Sequence, residues 1–165
     1  MNLQNYIDGI KPLDARAMEL CAQRWNTLGK PLYSLGRLEE MSIRMAGIYR
    51  HPMAYPKKKV VVVMAGDNGV VAEGVTQTGQ EVTKIVTENM TKENASVCIL
   101  SSISGADVVP VDVGIVTDCD NPKVINKKVK YGTDNMLHGP AMSREEAVQA
   151  IMAGIEVTKD LADQG

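Results

Sequence analysis

The chain contains 165 residues, 44% of them hydrophobic, which is enough for a folded domain with a sizeable core and excludes a disordered composition. Its formal net charge of -2 argues against a dominant surface for nucleic acid or anionic membranes. No hydrophobic signal region follows Met1, and no apolar run approaches the length of a transmembrane helix. The three cysteines are too widely spaced for a structural zinc site, so we expect no bound metal. Their odd number and the missing signal region favour a cytoplasmic protein with reduced thiols.

The first part of the chain has a helical pattern. Asp14 to Leu28 carries apolar residues at helical spacing and is followed by Gly29, a typical C-terminal stop. Ser34 is expected to cap a second helix. The apolar positions along one face of this second helix are Leu38, Met41, Met45 and Ile48. A linker-like stretch follows from His51, so residues 1–55 are expected to form a helical N-terminal segment distinct from residues 56–165.

From Lys59 onwards the pattern predicts strands and helices in alternation. Val60 to Ala65 is short, continuous and rich in β-branched residues, as expected of a strand buried on both faces of a parallel sheet. Helices are predicted over residues 83–90 and 94–103, and a second strand over Val108 to Val113. This order leaves more than enough chain for a parallel crossover and therefore favours an α/β sheet.

The last part of the chain is turn-rich up to Met142, with one weak strand predicted over Lys127 to Lys130. Ser143 and Glu146 form a capping box that begins the final helix. That helix is expected to bury Ala147, Ile151, Ile155 and either Val157 or Leu161, and to end at Gly165. Two clear strands and one weak one make a small sheet with open edges. Either further strands escape the pattern or the chain is part of something larger.

Polar residues follow both predicted strands at their carboxyl ends, where ligands bind in open α/β sheets. Gly66-Asp67-Asn68-Gly69 follows the first strand, and Asp112-Val113-Gly114 closes the second. Asp67 is placed to order a loop or to accept a hydrogen bond from a ligand. The alternative is that Asp67 and Asn68 only form a local turn.

Patterns of nucleotide binding and of catalysis are absent from the sequence. Neither a P-loop nor a G-x-G-x-x-G segment after a strand is present. Cys98 lies in an apolar helical run and is expected to be an inert core residue, and His138 is a single loop histidine. The residues alone therefore indicate an α/β domain with a loop-built face and no identifiable catalytic set.

Four segments, in order and at matching spacing, resemble the nicotinate-nucleotide:dimethylbenzimidazole phosphoribosyltransferase family from Lys30 onwards. They are Lys30-Pro31-Leu32-Tyr33-Ser34-Leu35-Gly36-Arg37-Leu38-Glu39, Ala65-Gly66-Asp67-Asn68-Gly69-Val70 with Glu73-Gly74-Val75, Val111-Asp112-Val113-Gly114-Ile115, and Gly139-Pro140-Ala141-Met142-Ser143. Each segment is modest alone, but together they are specific. The resemblance implies an α/β fold with a Rossmann-like, three-layer parallel sheet, here incomplete. It also implies that residues 1–55 belong to a small helical domain.

The resemblance also implies an activity. The family transfers phosphoribose from nicotinate mononucleotide to 5,6-dimethylbenzimidazole or a related base, giving α-ribazole 5'-phosphate and nicotinate for the nucleotide loop of cobalamin. It is usually a homodimer, acts on small-molecule substrates and needs neither metal nor redox cofactor. For this chain we accordingly expect a homodimer and, from its composition, no nucleic-acid or membrane partner. The family's general-base glutamate and Gly-rich phosphate loop have no counterpart in this chain. We therefore expect an N-terminal half that holds no catalytic residue and is inactive alone.

The family's first half contributes to the pocket for the aromatic base, which carries four residues of this chain into the candidate site: Asp67, Asn68, Thr78 and Val86. Thr78 stands where some members have a serine, Val86 where some have a glutamine, and Asn68 where the family has a histidine. Val86 cannot donate a hydrogen bond to a ring heteroatom, so the preferred base is expected to differ. The alternative for Val86 is an inward-facing helix residue.

Two other functions fit the same residues. One is a non-catalytic protein that binds a benzimidazole or a nucleotide without turnover. The other is one half of a split enzyme, whose activity returns when a second polypeptide supplies the phosphate loop and the glutamate.

Overall fold

The computed structural model describes residues 2–164 and divides into two compact units, one up to Lys57 and one from Lys58 onwards. The expected helix stop at Gly165, like Met1, lies outside the described residues. Three helices form the first unit. Six further elements and a short 3-10 helix form the second unit.

The first unit contains α1 (Leu3–Asp8), α2 (Ala15–Thr27) and α3 (Arg37–Tyr49). Asp14 caps α2, because its carboxylate accepts a hydrogen bond from the Ala17 amide at 2.9 Å. Small buried residues let α2 and α3 approach closely: Ala17 and Cys21 on α2, and Ala46 and Gly47 on α3. The helix predicted from Asp14 is therefore confirmed, and the structure adds that Asp14 is its N-cap.

The start of α3 differs from the expectation. Ser34 does not cap it, because Gly36, with φ of +51°, precedes Arg37 and leads the chain into the helix. The turn before α3 is held instead by the buried carboxylate of Glu39, which accepts from Lys30 Nζ at 2.7 Å and from the Leu35 amide at 3.1 Å. Hydrogen bonding to Lys30 lowers the pKa of Glu39.

The buried face of α3 also differs from the expectation. Leu38, Met41 and Ile48 are exposed, while Glu39, Ala46 and Gly47 are buried. Helical periodicity located the helix correctly. It predicted the wrong face of the helix to be buried, because the small residues Ala46 and Gly47 face α2 while Glu39 is buried by its ion pair with Lys30.

The second unit is built on a parallel sheet in the order β1-β2-β3. Its strands are β1 (Val60–Gly66), β2 (Asp107–Gly114) and β3 (Ile125–Asn126). Val60 pairs with Asp107, and the register runs without a break to the pair of Ala65 and Asp112. The α/β fold with an open, incomplete parallel sheet is thus confirmed.

The third strand lies two residues earlier than predicted and is only two residues long. The side chain of Asn126 accepts from the Lys128 amide at 3.1 Å, which turns the chain away from a regular ladder. The amides of Lys127 and Val129 still donate to the carbonyls of Asp112 and Val113. Residues 127–130 therefore run alongside β2 and hydrogen-bond to it, but they do not extend β3 as a regular strand.

The helices of the second unit are α4 (Glu81–Met90), α5 (Ser96–Ser104) and α6 (Arg144–Asp163), with a 3-10 helix at Gly69–Glu73. Both α4 and α5 pack against β2. The Ser143–Glu146 capping box is present at the start of α6. Ile151 is half exposed, contrary to expectation, whereas Val157 is buried as expected and Ala153 is buried as well.

The core of this unit surrounds β2 and includes a charged residue. Val111 and Ile115 are fully buried, and burying a side chain of this size contributes roughly 1.5–3 kcal/mol. Asp112 lies between them in sequence and is only 1% exposed. Among residues 2–164, no helix combines the length and apolar character needed to cross a bilayer.

Candidate functional site

The carboxyl ends of β1 and β2 lie side by side. Gly66 is the register partner of Gly114, after an irregularity that follows Ala65. The Asp67 amide donates to the Gly114 carbonyl at 3.0 Å and extends the pairing one residue beyond the strand. The two polar segments noted in the sequence therefore lie next to each other at the carboxyl-terminal end of the sheet, here called its carboxyl edge.

The Asp67 carboxylate is buried, and both of its oxygens are occupied. The Thr83 hydroxyl on α4 donates to Oδ1 at 2.5 Å. The Val116 amide donates to Oδ2 at 2.9 Å. Val116 belongs to residues 115–118, here called the β2 exit loop. Asp67 thus joins the end of β1 to α4 and to this loop.

A third segment, residues 132–133, completes this edge. The Gly132 amide donates to the Gly114 carbonyl at 3.0 Å, and the Thr133 amide donates to the Asp67 carbonyl at 2.9 Å. The Thr133 hydroxyl accepts from the Gly69 amide at 3.1 Å. Gly132 has φ of +77°, a left-handed conformation that glycine adopts at little cost.

A cavity of about 260 Å³ lies where these segments meet. Its wall is mostly apolar, formed by the side chains of Met64, Val113, Val129 and Met142. Polar and charged residues also line it, namely Asp67, Asn68, Lys130, Thr133 and Glu146, together with the glycines at the two strand ends. A mostly apolar cavity with a few polar groups is typical of a small-molecule site.

Lys130 is a fixed positive charge on the cavity wall. Its ammonium is hydrogen-bonded to Asp134, which raises the pKa of Lys130, and Glu146 at 3.7 Å raises it further. The lysine therefore remains protonated across the neutral range. Both of its partners are carboxylates, so its charge is paired within the fold.

The four residues proposed for the base pocket do not all meet at this cavity. Asp67 and Asn68 line it. Thr78 lies in the exposed loop before α4, and Val86 is 39% exposed on α4 itself. The buried position on that helix is Thr87, so Val86 is not an inward-facing core residue.

The start of α4 is nevertheless tied to the same strand end. The Gln80 side chain donates to the Asn68 carbonyl at 3.1 Å, two residues after Thr78. Thr83 binds Asp67 one turn before Val86. The segment from Thr78 to Val86 is therefore anchored to the strand end that lines the cavity.

Several residues that build the site carried no recognisable signal in the sequence. Thr83, Thr133 and Lys130 are ordinary polar residues outside any motif, and each acts through a partner brought near by the fold. Gly132 was the one available signal, because a glycine between polar residues in a turn-rich stretch marks a special backbone position.

The three cysteines differ in exposure, which leads to a prediction about pH. Cys21 and Cys98 are buried, while Cys119, just beyond the β2 exit loop, is partly exposed. Burial raises the pKa of the Cys119 thiol, and the nearby carboxylates of Asp112 and Glu88 raise it further. The thiol is therefore neutral at pH 7, and its alkylation should be slow there.

We expect iodoacetamide to modify the native protein first at Cys119, identified by peptide mass spectrometry. The midpoint of its rate against pH should lie above the ordinary thiol value of about 8.5. In urea the midpoint should return to that value and all three cysteines should react. A native midpoint at or below the ordinary value would contradict the burial of this thiol.

Metal chemistry has no evident ligand set here. Within residues 2–164, no three side chains of His, Cys, Asp or Glu converge in a way that would hold a metal ion. The polar groups of the cavity are suited to contacts with an organic ligand.

Comparison with known proteins identifies the family. A family model described as phosphoribosyltransferase matches residues 10–165. The chain belongs to this family. It is 45% identical, over all of its length, to the nicotinate-nucleotide–dimethylbenzimidazole phosphoribosyltransferase of Ruminiclostridium cellulolyticum. It is 43% identical over 99% of its length to the enzyme of the same name from Alkaliphilus metalliredigens.

Solved structures agree with this assignment. The crystal structure of the nicotinate-nucleotide–dimethylbenzimidazole phosphoribosyltransferase of Thermus thermophilus matches 93% of this chain with a TM-score of 0.85 and 35% identity. The chain spans 47% of that structure and 47% of each of the two relatives above. It therefore corresponds to about half the length of the proteins it resembles.

Proposed function

We propose that this chain supplies part of the base pocket of an enzyme that transfers phosphoribose from nicotinate mononucleotide to 5,6-dimethylbenzimidazole or a related base. The products are α-ribazole 5'-phosphate and nicotinate. The observation that carries the proposal is the similarity of the whole chain to enzymes named for this reaction. The mostly apolar cavity at the carboxyl edge of the sheet is a compatible place for a flat aromatic base.

The four proposed site residues have different roles. Asn68 offers an amide that donates and accepts at the cavity wall, and Asp67 orders the backbone beneath it. Thr78 and Val86, which are both exposed, form the outer part of the pocket around the start of α4. In this proposal, residues 1–55 belong to the small helical domain and residues 56–165 to the first half of the phosphoribosyltransferase domain; the division between the two compact units, after Lys57, is compatible with this boundary.

The setting of the proposed activity follows the family. The substrates are small molecules, and the reaction is placed in the cytoplasm, in a homodimer, without metal or redox cofactor. The 165-residue chain by itself is proposed to bind the base without turning it over, because the family's general-base glutamate and Gly-rich phosphate loop have no counterpart among its residues.

Calorimetric titration of the chain with 5,6-dimethylbenzimidazole tests the binding, with product analysis after adding nicotinate mononucleotide. We expect saturable binding and no α-ribazole 5'-phosphate. Absence of both heat and thermal shift would remove the base-pocket proposal. Product formed by the chain alone would overturn its inactivity, and product formed only with a second polypeptide would indicate a split enzyme.

A matched pair of variants tests the place of Val86. Val86→Gln adds a donor where some relatives have one. Ile85→Gln makes the same change at the neighbouring exposed residue of α4. One added hydrogen bond should tighten base binding by about threefold to tenfold in Val86→Gln. If Ile85→Gln produced the same change, Val86 would have no special place in the pocket.

A further inference from the structure

Lys128 is buried in a way that is unusual for a lysine. Its side chain is 7% exposed, and lysine is almost never buried unless it is paired. The ammonium lies 3.1 Å from Asp112 Oδ2 and donates to the carbonyls of Ile115 at 2.6 Å and Thr117 at 2.8 Å. Two of these three partners are backbone atoms of the β2 exit loop.

The remaining sides of the ammonium are covered as well. The ring of Tyr131 lies with its centroid 4.2 Å from Lys128 Nζ, within the range of a cation–π contact. Asp118 Oδ1 lies 3.4 Å from the same atom and accepts from the Tyr131 hydroxyl at 3.1 Å. We call this set of partners the lysine cage; its members are Asp112, Ile115, Thr117, Asp118 and Tyr131.

Lys128 and the carboxylates of Asp112 and Asp67 together fix the backbone of the β2 exit loop. Lys128 holds carbonyl oxygens of the loop, while carboxylates hold its amides. Ile115 donates to Asp112 Oδ1 at 2.9 Å, and Val116 donates to Asp67 Oδ2 at 2.9 Å. Carbonyl groups and amide groups of the loop are therefore both hydrogen-bonded to buried charged side chains, although the loop has no regular secondary structure.

We propose that Lys128 is a positioning residue for the ligand cavity. It fixes the β2 exit loop, the loop fixes the Asp67 carboxylate through Val116, and Asp67 precedes Asn68 on the cavity wall. The part of this proposal that concerns the base rests on the proposed function. The anchoring of the loop stands on the hydrogen bonds alone.

The charge of Lys128 is essential to this arrangement. Without the ammonium, the Ile115 and Thr117 carbonyls and one Asp112 oxygen would face each other with no donor between them. Their mutual repulsion would open the loop towards water. An apolar side chain of similar length fills the space but leaves these acceptors unpaired.

Lys127 provides a matched control. It is the neighbouring residue and also forms an ion pair, with Glu156 Oε2 at 2.9 Å. Its side chain is 32% exposed, and its partner lies on α6 and not in the β2 exit loop. Lys127→Met therefore removes a lysine and an ion pair without touching the lysine cage.

Amide hydrogen exchange by NMR tests the anchoring in the 165-residue chain without any ligand. In Lys128→Met we expect the Ile115 and Val116 amides to exchange about tenfold faster or more, while Val111 in the centre of β2 keeps its protection. Lys127→Met should change these rates by less than about twofold, and Lys128→Arg should restore most of the protection. Unchanged loop protection in Lys128→Met overturns the proposal, and so does an equal loss at Val111, which would indicate a merely structural role.

Titration with 5,6-dimethylbenzimidazole tests the consequence for the cavity, at a temperature where circular dichroism shows each variant folded. We expect the Kd of Lys128→Met to rise about tenfold and that of Lys127→Met to stay unchanged. A wild-type Kd in a Lys128→Met protein that has lost loop protection overturns the positioning role. If the unmodified chain binds no base while the exchange result holds, the proposed function fails and the anchoring is upheld.

Discussion

Replacing Gly69 with alanine is expected to lower the free energy of unfolding of the second unit by about 2–3 kcal/mol, in the upper range for overpacking. A Cβ atom at this position would lie 2.5 Å from the Thr133 carbonyl oxygen, 2.6 Å from the Asp134 carbonyl carbon and 2.7 Å from the Asn135 amide nitrogen. All three are backbone atoms, so no side-chain rotation relieves the clash. The segment must move, which also breaks the hydrogen bond from the Gly69 amide to the Thr133 hydroxyl.

Urea denaturation followed by circular dichroism measures this effect, with Gly154→Ala as the matched control. Gly154 lies within α6, and a Cβ there meets nothing within 4 Å. Because glycine is unfavourable inside a helix, Gly154→Ala should raise the free energy of unfolding by about 0.5–1 kcal/mol. A wild-type denaturation midpoint for Gly69→Ala would show that the 3-10 helix is not packed closely against residues 133–135.

The parts of the fold that could be predicted from the sequence are those determined by residues close together in the chain. The run of valines from Val60 predicts β1, and the Ser143–Glu146 capping box predicts the start of α6. The features that differ depend on single side chains whose effect no pattern reveals. Glu39, not Ser34, holds the turn before α3, and Asn126 ends β3 after two residues.

The candidate site could be predicted only in part, for the same reason. The strand-end rule for α/β sheets predicts a ligand site beside Asp67 and Asn68 from the sequence alone, and both residues line the cavity. Thr78 and Val86 entered only through the family resemblance. The hydrogen bond from Val116 to Asp67 joins residues 49 positions apart, and the Lys128–Asp112 pair depends on the register of β2 with the segment after β3. Contacts of this kind follow from tertiary packing and leave no local trace.

Replacing Asp67 with alanine is expected to have the largest effect on the site. It removes the acceptor of two hydrogen bonds to a buried carboxylate, leaving the Val116 amide without a partner and freeing the Thr83 hydroxyl. Each bond to a charged group contributes about 1.5–3 kcal/mol, so we expect Asp67→Ala to lower the free energy of unfolding by about 3–5 kcal/mol. The free energy of unfolding of Asp67→Asn should lie between those of Asp67→Ala and the wild type, because the asparagine side chain has one acceptor oxygen for the two donors.

Two comparisons distinguish the roles considered for Asp67. Thr83→Val removes one donor and should lower the free energy of unfolding by less than Asp67→Ala does, because the hydrogen bond from Val116 remains. Asp118→Ala removes an exposed carboxylate at the edge of the lysine cage and should stay within about 1 kcal/mol of the wild type. If Asp67 served mainly to accept a hydrogen bond from the base, Asp67→Ala would keep wild-type stability and lose only base affinity. Both oxygens already have donors inside the fold, so a loss of stability together with affinity is the outcome that the geometry requires.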